Sequence, residues 1–230
     1  MNQPVQKTAA RRGRPPRVEV SADGESRTND PERTMADILE VATAEFAAKG
    51  LAGARIDEIA AATRTSKRMI YYYFESKEKL YIRVLEQAYQ RIRRIETELH
   101  LEDLPPEAAL RTLVGFTVDY QRSNPDFIRL VMNENIHHGE YLAQSQAIQA
   151  LNVPAITTLE QVYRRGVVDG VFRAGLDPVD LHQSISALSV FNVSNHATFS
   201  LIFKRDLDSA AAVAARRESI VEMVVRFVRR

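Results

Sequence analysis

Residues 66–80, SKRMIYYYFESKEKL, place Lys67 and Arg68 just ahead of Tyr71, Tyr72 and Tyr73, with Lys77 close behind. Ammonium and guanidinium groups can donate to guanine O6 and N7 in a major groove. A phenol can give its hydroxyl to a phosphate while its ring packs on sugars and thymine methyls, contacts that set register without reading sequence. Successive helical side chains point about 100° apart, so three consecutive tyrosines cannot share one core. Ile70 and Phe74, four apart, form the core pair, which turns Tyr71 and Tyr72 outward and leaves Tyr73 at the margin. Taken alone, Lys67 and Arg68 read equally well as a solvated face.

Two other stretches set polar groups among apolar ones. FIRLVMNENIHHGEY offers Asn133, Asn135, His137 and His138 beside Phe127 and Met132, and SVFNVSNHATFSLIF offers Asn192, Asn195 and His196 among Phe191, Val193 and Phe199. Small-molecule pockets are mostly apolar with a few placed polar groups. Asn133, His137, Phe191, Asn192, Asn195 and His196 are therefore the candidate effector contacts, although each singly also fits a hydrogen-bonded core or surface group. Glu134-x-x-His137 has the spacing of a helical di-iron motif, which needs a second copy and further glutamates; the sequence has no second copy. With no cysteine, disulfides and thiolate zinc sites are excluded. No nucleophile elbow or Gly-rich phosphate loop accompanies the Ser, His and Asp residues. The sequence predicts no metal site, no cofactor and no catalysis.

The elements that must position these groups are all helical, and no segment reads as strand. The chain is 230 residues long, room for a small and a larger domain. Residues 1–30 lack periodicity and read as a disordered basic arm, with no acid among the first 17 residues. Within the arm, RRGRPPR resembles an AT-hook core. Its Arg12 and Arg14 suit the narrow A·T minor groove, or equally a basic tail without sequence preference.

From Pro31 the spacing of Ile38, Leu39, Ala42 and Phe46 predicts a helix ended by Gly50. A short helix over 56–62, a tight turn and a helix from Ser66 to Phe74 have the dimensions of a helix-turn-helix. Ser76 caps a fourth helix that should run to about Leu101, where Leu-Pro-Pro breaks the chain. Further helices are expected over 107–121 and from Pro125 to near His137. A stretch from Gly139 to Val168 should be kinked or restarted by Pro154, and a long helix should run from Asp177-Pro178 to about Phe203. Residues 210–227 give the last of about nine helices. No apolar run approaches the roughly 20 residues of a membrane span, and no secretory leader is evident. The expected address is cytoplasmic.

RTMADILEVATAEFAAKGLAGARIDEIAAATRTSKRMIYYYFESKEKLYIRVLEQA resembles the N-terminal domain of TetR-type transcriptional regulators. The resemblance rests on Ile38-Leu39, Ala42, Phe46-Ala47, Gly50, Ile59-Ala60, Ser66, Ile70-Tyr71, Tyr73-Phe74, Ser76-Lys77-Glu78 and Leu80. It implies that Lys67, Arg68, Tyr71 and Tyr72 face DNA, with Thr65 and Ser66 at the edge of that surface, and that Lys77 meets a phosphate beside a helix N-terminus. Two positions depart from the pattern. Thr63-Arg64-Thr65 replaces the usual Ala-Gly-Val, a bulkier, charged turn that either adds a phosphate contact or strains the turn. Arg55 replaces a helix-capping Thr, exchanging the cap for a phosphate contact. Part of the C-terminal region is similar to a TetR subgroup that includes regulators of nicotinate and pyrimidine catabolism, implying an aromatic or N-heterocyclic effector.

Residues and resemblance together predict an all-α one-component regulator, a repressor in the first instance. Residues 1–30 would form the arm, 31–91 the DNA-binding domain with its helix-turn-helix over about 54–73, and 92–230 the effector-binding and dimerisation domain. The partners expected are a pseudopalindromic double-stranded DNA operator, a second copy of the chain held through the last two helices, and a small-molecule effector; no membrane is expected. Dimerisation follows from the resemblance and from the ~34–36 Å half-site spacing that a two-fold pair of recognition helices needs. The competing readings are activation rather than repression, an effector-independent architectural or division-associated DNA-binding protein of the same fold, and a helical metal or cofactor enzyme.

Overall fold

The computed structural model describes residues 30–230, so the arm with Arg12 and Arg14 lies outside the described residues. Ten α-helices follow in chain order among the described residues: α1 Pro31–Gly53, α2 Ile56–Ala62, α3 Lys67–Phe74, α4 Lys77–Thr97, α5 Pro106–Ser123, α6 Pro125–Ile136, α7 Gln146–Val168, α8 Pro178–Ser194, α9 His196–Phe203 and α10 Ala210–Val228. Two short 3-10 turns, Leu101–Asp103 and Leu142–Gln144, precede α5 and α7.

The helix starts follow local chemistry. Ser66, Ser76 and Ser145 each accept the N–H three residues on, and Asp177 accepts from Val179 and Asp180, so the first orphan donors of α3, α4, α7 and α8 are satisfied. Gly50 leaves helical geometry at φ 65°, as a terminating glycine should, but the chain makes one further turn to Gly53 before α2.

Three expectations need correction. The fourth helix stops at Thr97, because His100 turns left-handed at φ 46° and Leu101 enters a 3-10 turn. That turn is held by Arg165 of α7, whose guanidinium donates to the Leu101, Glu102 and Leu104 carbonyls at 2.7–3.1 Å. The stretch from Gly139 is not α-helical until Gln146: His138 and Gly139 are both left-handed, and Ser145 provides the new cap. Pro154 then lies inside α7 without restarting it. The long helix to Phe203 is two helices. At Asn195 the backbone opens to φ −106°, ψ 6°, and its side-chain amide donates to the Ser194 hydroxyl at 2.8 Å. The split brings the count among the described residues to ten, close to the expected nine or so.

Two apolar cores organise these helices. The first gathers Ile38, Phe46, Ile59, Ile70, Leu80 and Val84 from α1 to α4, and also takes in Leu130 of α6 and Ile148 of α7. Phe46 is wholly buried, a contribution of about 1.5–3 kcal/mol for a side chain of its size, and its ring meets Tyr81 edge-on at 5.1 Å. The second core joins α5, α7, α8 and α10 through Leu110, Val114, Leu159, Leu181, Ile220 and Val225. There, Gly166 lets the Phe172 ring lie where a Cβ would stand 1.9 Å away. Helix α4 packs against α1 and α7 and so touches both halves.

Candidate nucleic-acid interface and effector cleft

Helices α2 and α3 are too short to be stable alone and are held by what they bury. Ile56, Ile59 and Ala60 on α2, and Ile70 and Phe74 on α3, face the first core. That anchoring fixes the opposite face. Lys67 and Arg68 are exposed in the first turn of α3, and Tyr71 and Tyr72 stand out at 44% and 75% exposure. Tyr73 packs half-buried against the core, with its ring edge-on to Tyr72 at 5.4 Å. Ser66 is exposed at the N-cap and Thr65 half-buried in the turn, while Lys77 is half-exposed at the first position of α4. The Ser76 hydroxyl and backbone N–H donors at this end lower the Glu78 pKa, the backbone contributing more.

Both departures from the family pattern have a structural outcome. Arg64 adopts φ 54°, a left-handed conformation that glycine takes freely and that costs other residues about 1–2 kcal/mol. Arg55 stands at the N-cap of α2 with no side-chain cap bond. Its backbone N–H instead donates to Glu45 Oε1 of α1 at 3.1 Å, so an acid ten residues back takes up a donor at the uncapped end. Lys49 pairs with both Glu45 and Glu58, tying α1 to α2. The Arg55 side chain is exposed, its guanidinium 4.0 Å from Asp57, and Asp57 also pairs with Lys67.

The six candidate effector contacts fall in two places rather than one. Asn133 and His137 lie at the end of α6, where the His137 Nδ1 is 2.8 Å from the Asn133 carbonyl and the Asn133 side chain abuts Gly50. Beside them Glu134 is buried and accepts from the Leu142 N–H at 2.8 Å. The Tyr81 hydroxyl hydrogen-bonds to Glu134, and its pKa is driven up by burial first and by this carboxylate second. Glu134 is thus engaged within the protein while His137 is exposed, so the pair does not form a chelate.

Phe191, Asn192, Asn195 and His196 lie on α8 and at the start of α9. Phe191 is exposed, the Asn192 amide donates to the Leu188 carbonyl and accepts from Arg216, and His196 Nε2 is 3.2 Å from Asp208.

None of the six lines the cleft of about 1620 Å³ that runs between α1, α4, the α5–α6 junction and α7. Its walls carry Thr43, Arg93, Glu96, Tyr120, Phe127 and Leu151. Arg93 Nη1 pairs with Glu96, while Arg93 Nε is buried without a hydrogen-bond partner. Burial raises the Glu96 pKa against the opposing pull of Arg93. Burial also raises the Tyr120 pKa and lowers that of His182, on which Arg93 acts second. Two rings form the apolar side, Phe127 lying edge-on to Tyr120 at 6.2 Å, and Tyr89 backs Phe127 edge-on at 5.3 Å from outside the lining. Gln121, 5% exposed, adds an unpartnered Oε1 near this junction.

Arg93 and Glu96 were missed in the sequence because QRIRRIE reads as a charged, solvated run. The available signal was phase, since Tyr89, Arg93 and Glu96 are spaced i, i+4, i+7, alongside the apolar stripe through Ile92.

An all-helical chain with a surface-presented helix-turn-helix and a separate cleft defines a ligand-responsive class of DNA-binding protein. Residues 38–84 match the family described as bacterial regulatory proteins, tetR family, and residues 106–224 match the tetracyclin repressor-like C-terminal domain. The chain belongs to the TetR family of transcriptional regulators. It is 36% identical to the HTH-type transcriptional repressor NicS of Pseudomonas putida, over 89% of this chain and 96% of that protein. It is 34% identical to the HTH-type transcriptional repressor SCO4008 of Streptomyces coelicolor, over 60% and 69% of the two chains. Among solved structures, the putative transcriptional regulator SCO4942 of Streptomyces coelicolor superposes with a TM-score of 0.64 at 27% identity, covering 85% of this chain and 98% of that one.

Proposed function

We propose that this chain is a repressor that binds a pseudopalindromic operator as a homodimer and is released by a small-molecule effector. The observation that carries the reading is the outer face of α3: Lys67, Arg68, Tyr71 and Tyr72 exposed over a wholly apolar underside of Ile70 and Phe74. Arg68 and Lys67 meet base edges. Tyr71, Tyr72, Lys77, Thr65, Ser66 and Arg55 meet sugar and phosphate, and Arg12 and Arg14 extend the contact. The NicS and SCO4008 names support repression.

Dimerisation is supported by large apolar side chains left exposed on α8, α9 and α10, among them Phe191, Leu201, Ile202, Phe203 and Phe227. Phe191, Asn192, Asn195 and His196 then belong to that subunit face, and the effector occupies the cleft.

A planar aromatic or N-heterocyclic carboxylate suits the cleft. The side-on edge of Arg93, Nε and Nη2, is the guanidinium fork that takes carboxylates bidentately, and Tyr120 and Phe127 supply flat walls. Because α4 carries Lys77 at one end and Arg93 at the other, it is the lever: effector must favour the conformation that fits DNA poorly, and DNA must weaken effector binding by the same factor. No helix among the described residues is long and apolar enough to cross a membrane, which suits a cytoplasmic address.

The test is footprinting on the DNA upstream of the protein's own gene, with and without benzoate and pyridine-carboxylate probes. A two-fold-symmetric protected site that one of these probes releases is expected. No protection at low salt defeats the DNA reading, and protection that none of these probes relieves defeats the effector class.

A further inference from the structure

We infer that Asp57 is a specificity-determining residue of the DNA-facing surface, acting by holding Lys67 and thereby weakening binding to non-operator DNA more than to operator. The inference rests on the operator-binding reading above. Asp57 and Glu58 are neighbours in the first turn of α2, yet they serve different partners. Glu58 turns back to Lys49 of α1, which lowers the Glu58 pKa. Asp57 Oδ1 takes the Lys67 ammonium across the turn between α2 and α3, and its Oδ2 lies 4.0 Å from the Arg55 guanidinium. Both cations belong to the candidate DNA surface. The Asp57 side chain is 47% exposed, so the carboxylate lies on that surface with them.

Binding without sequence preference draws its affinity from cations that displace counterions from phosphates. A lysine already neutralised by a carboxylate adds little to that term. The carboxylate itself, well inside the ~8 Å screening length of physiological salt, repels the same phosphates. On an operator, Lys67 at the head of α3 gains a base-edge acceptor that offsets the lost Asp57 partner. A random duplex offers no such exchange. Asp57 therefore lowers affinity for both, and lowers it more where no base acceptor is waiting.

The experiment is a set of anisotropy titrations across salt, using full-length wild-type protein and Asp57→Asn on an operator duplex and on a scrambled duplex of equal length. Scrambled-duplex affinity is expected to rise about three- to tenfold, the scale of one surface charge–phosphate repulsion, while operator affinity changes less than about twofold. The salt slope on the scrambled duplex should steepen by about one as Lys67 is freed. Glu58→Gln removes the same charge from the same turn and should leave the operator-to-scrambled ratio unchanged. In a Lys67→Met background, Asp57→Asn should no longer move it. Equal gains on both duplexes, or the same ratio change from Glu58→Gln, would reduce Asp57 to net charge and overturn the inference. Loss of operator affinity alone would make it a direct base contact and overturn it too. Wild-type protein that binds neither duplex would instead defeat the operator reading.

Discussion

The proposed DNA-facing surface and the cleft are built on opposite plans. The surface comes from one run, Arg55 to Lys77, whose polar groups stand in solvent over an apolar base. The cleft draws on α1, α4, α5, α6 and α7, and it takes polar groups into the interior, where Arg93 Nε has no hydrogen-bond partner and burial raises the Glu96 pKa. The first arrangement can carry exposed charge if, as proposed, DNA supplies the counter-charge. The second stores buried polarity that a ligand can satisfy, and buried polarity is where an added ligand has most to gain.

The two regions nevertheless share a core, since Leu130 and Ile148 pack with Phe46. Phe46→Ala should therefore cost about 3–5 kcal/mol and lower the urea midpoint in one transition followed by probes in both regions. Two separated transitions would break the picture of a shared foundation. Next in size come two charge deletions that should separate the regions. Arg68→Ala should weaken operator binding by about 1–3 kcal/mol and relax sequence preference at its base, leaving effector affinity intact by calorimetry. Arg93→Met should do the reverse, costing effector affinity about 1.5–3 kcal/mol, the range for a charged hydrogen bond, with operator affinity in the absence of effector unchanged. If either deletion moves both affinities equally, the surface and the cleft are not separable.

A smaller effect lies in the turn. Arg64→Gly should stabilise the fold by about 1 kcal/mol by removing a left-handed non-glycine residue, read as a raised urea midpoint. If Arg64 also meets phosphate, the same change weakens DNA. The smallest effect belongs to His182. Burial, then Arg93, depress its folded pKa. Its contribution is therefore present above the ordinary value near 6.5 and is lost as pH falls towards the folded value. His182→Asn should flatten the fall in stability below that pH, measured by urea midpoints across pH.

What could be read from the sequence was whatever a few neighbouring residues decide. Ile70 and Phe74 inward, Tyr71 and Tyr72 outward, the serine caps at 66 and 76 and the asparagine-proline restart at 124–125 all follow from helix geometry within one or two turns. The same reach explains why Arg64 could be marked as a strained turn residue.

Tertiary structure decided what depends on contacts between distant segments. It supplied Glu45 to an N–H at the uncapped end of α2, and it gave Asp57 rather than solvent to Lys67. It also placed Arg93 and Tyr120 on the walls of one cleft, whereas Asn192 found a partner on α10. Periodicity shows which face of a helix is buried, but not which other helix will cover it. That choice is made by packing the whole chain, and it separates a half-buried arginine from its solvated neighbours two residues back and one residue on.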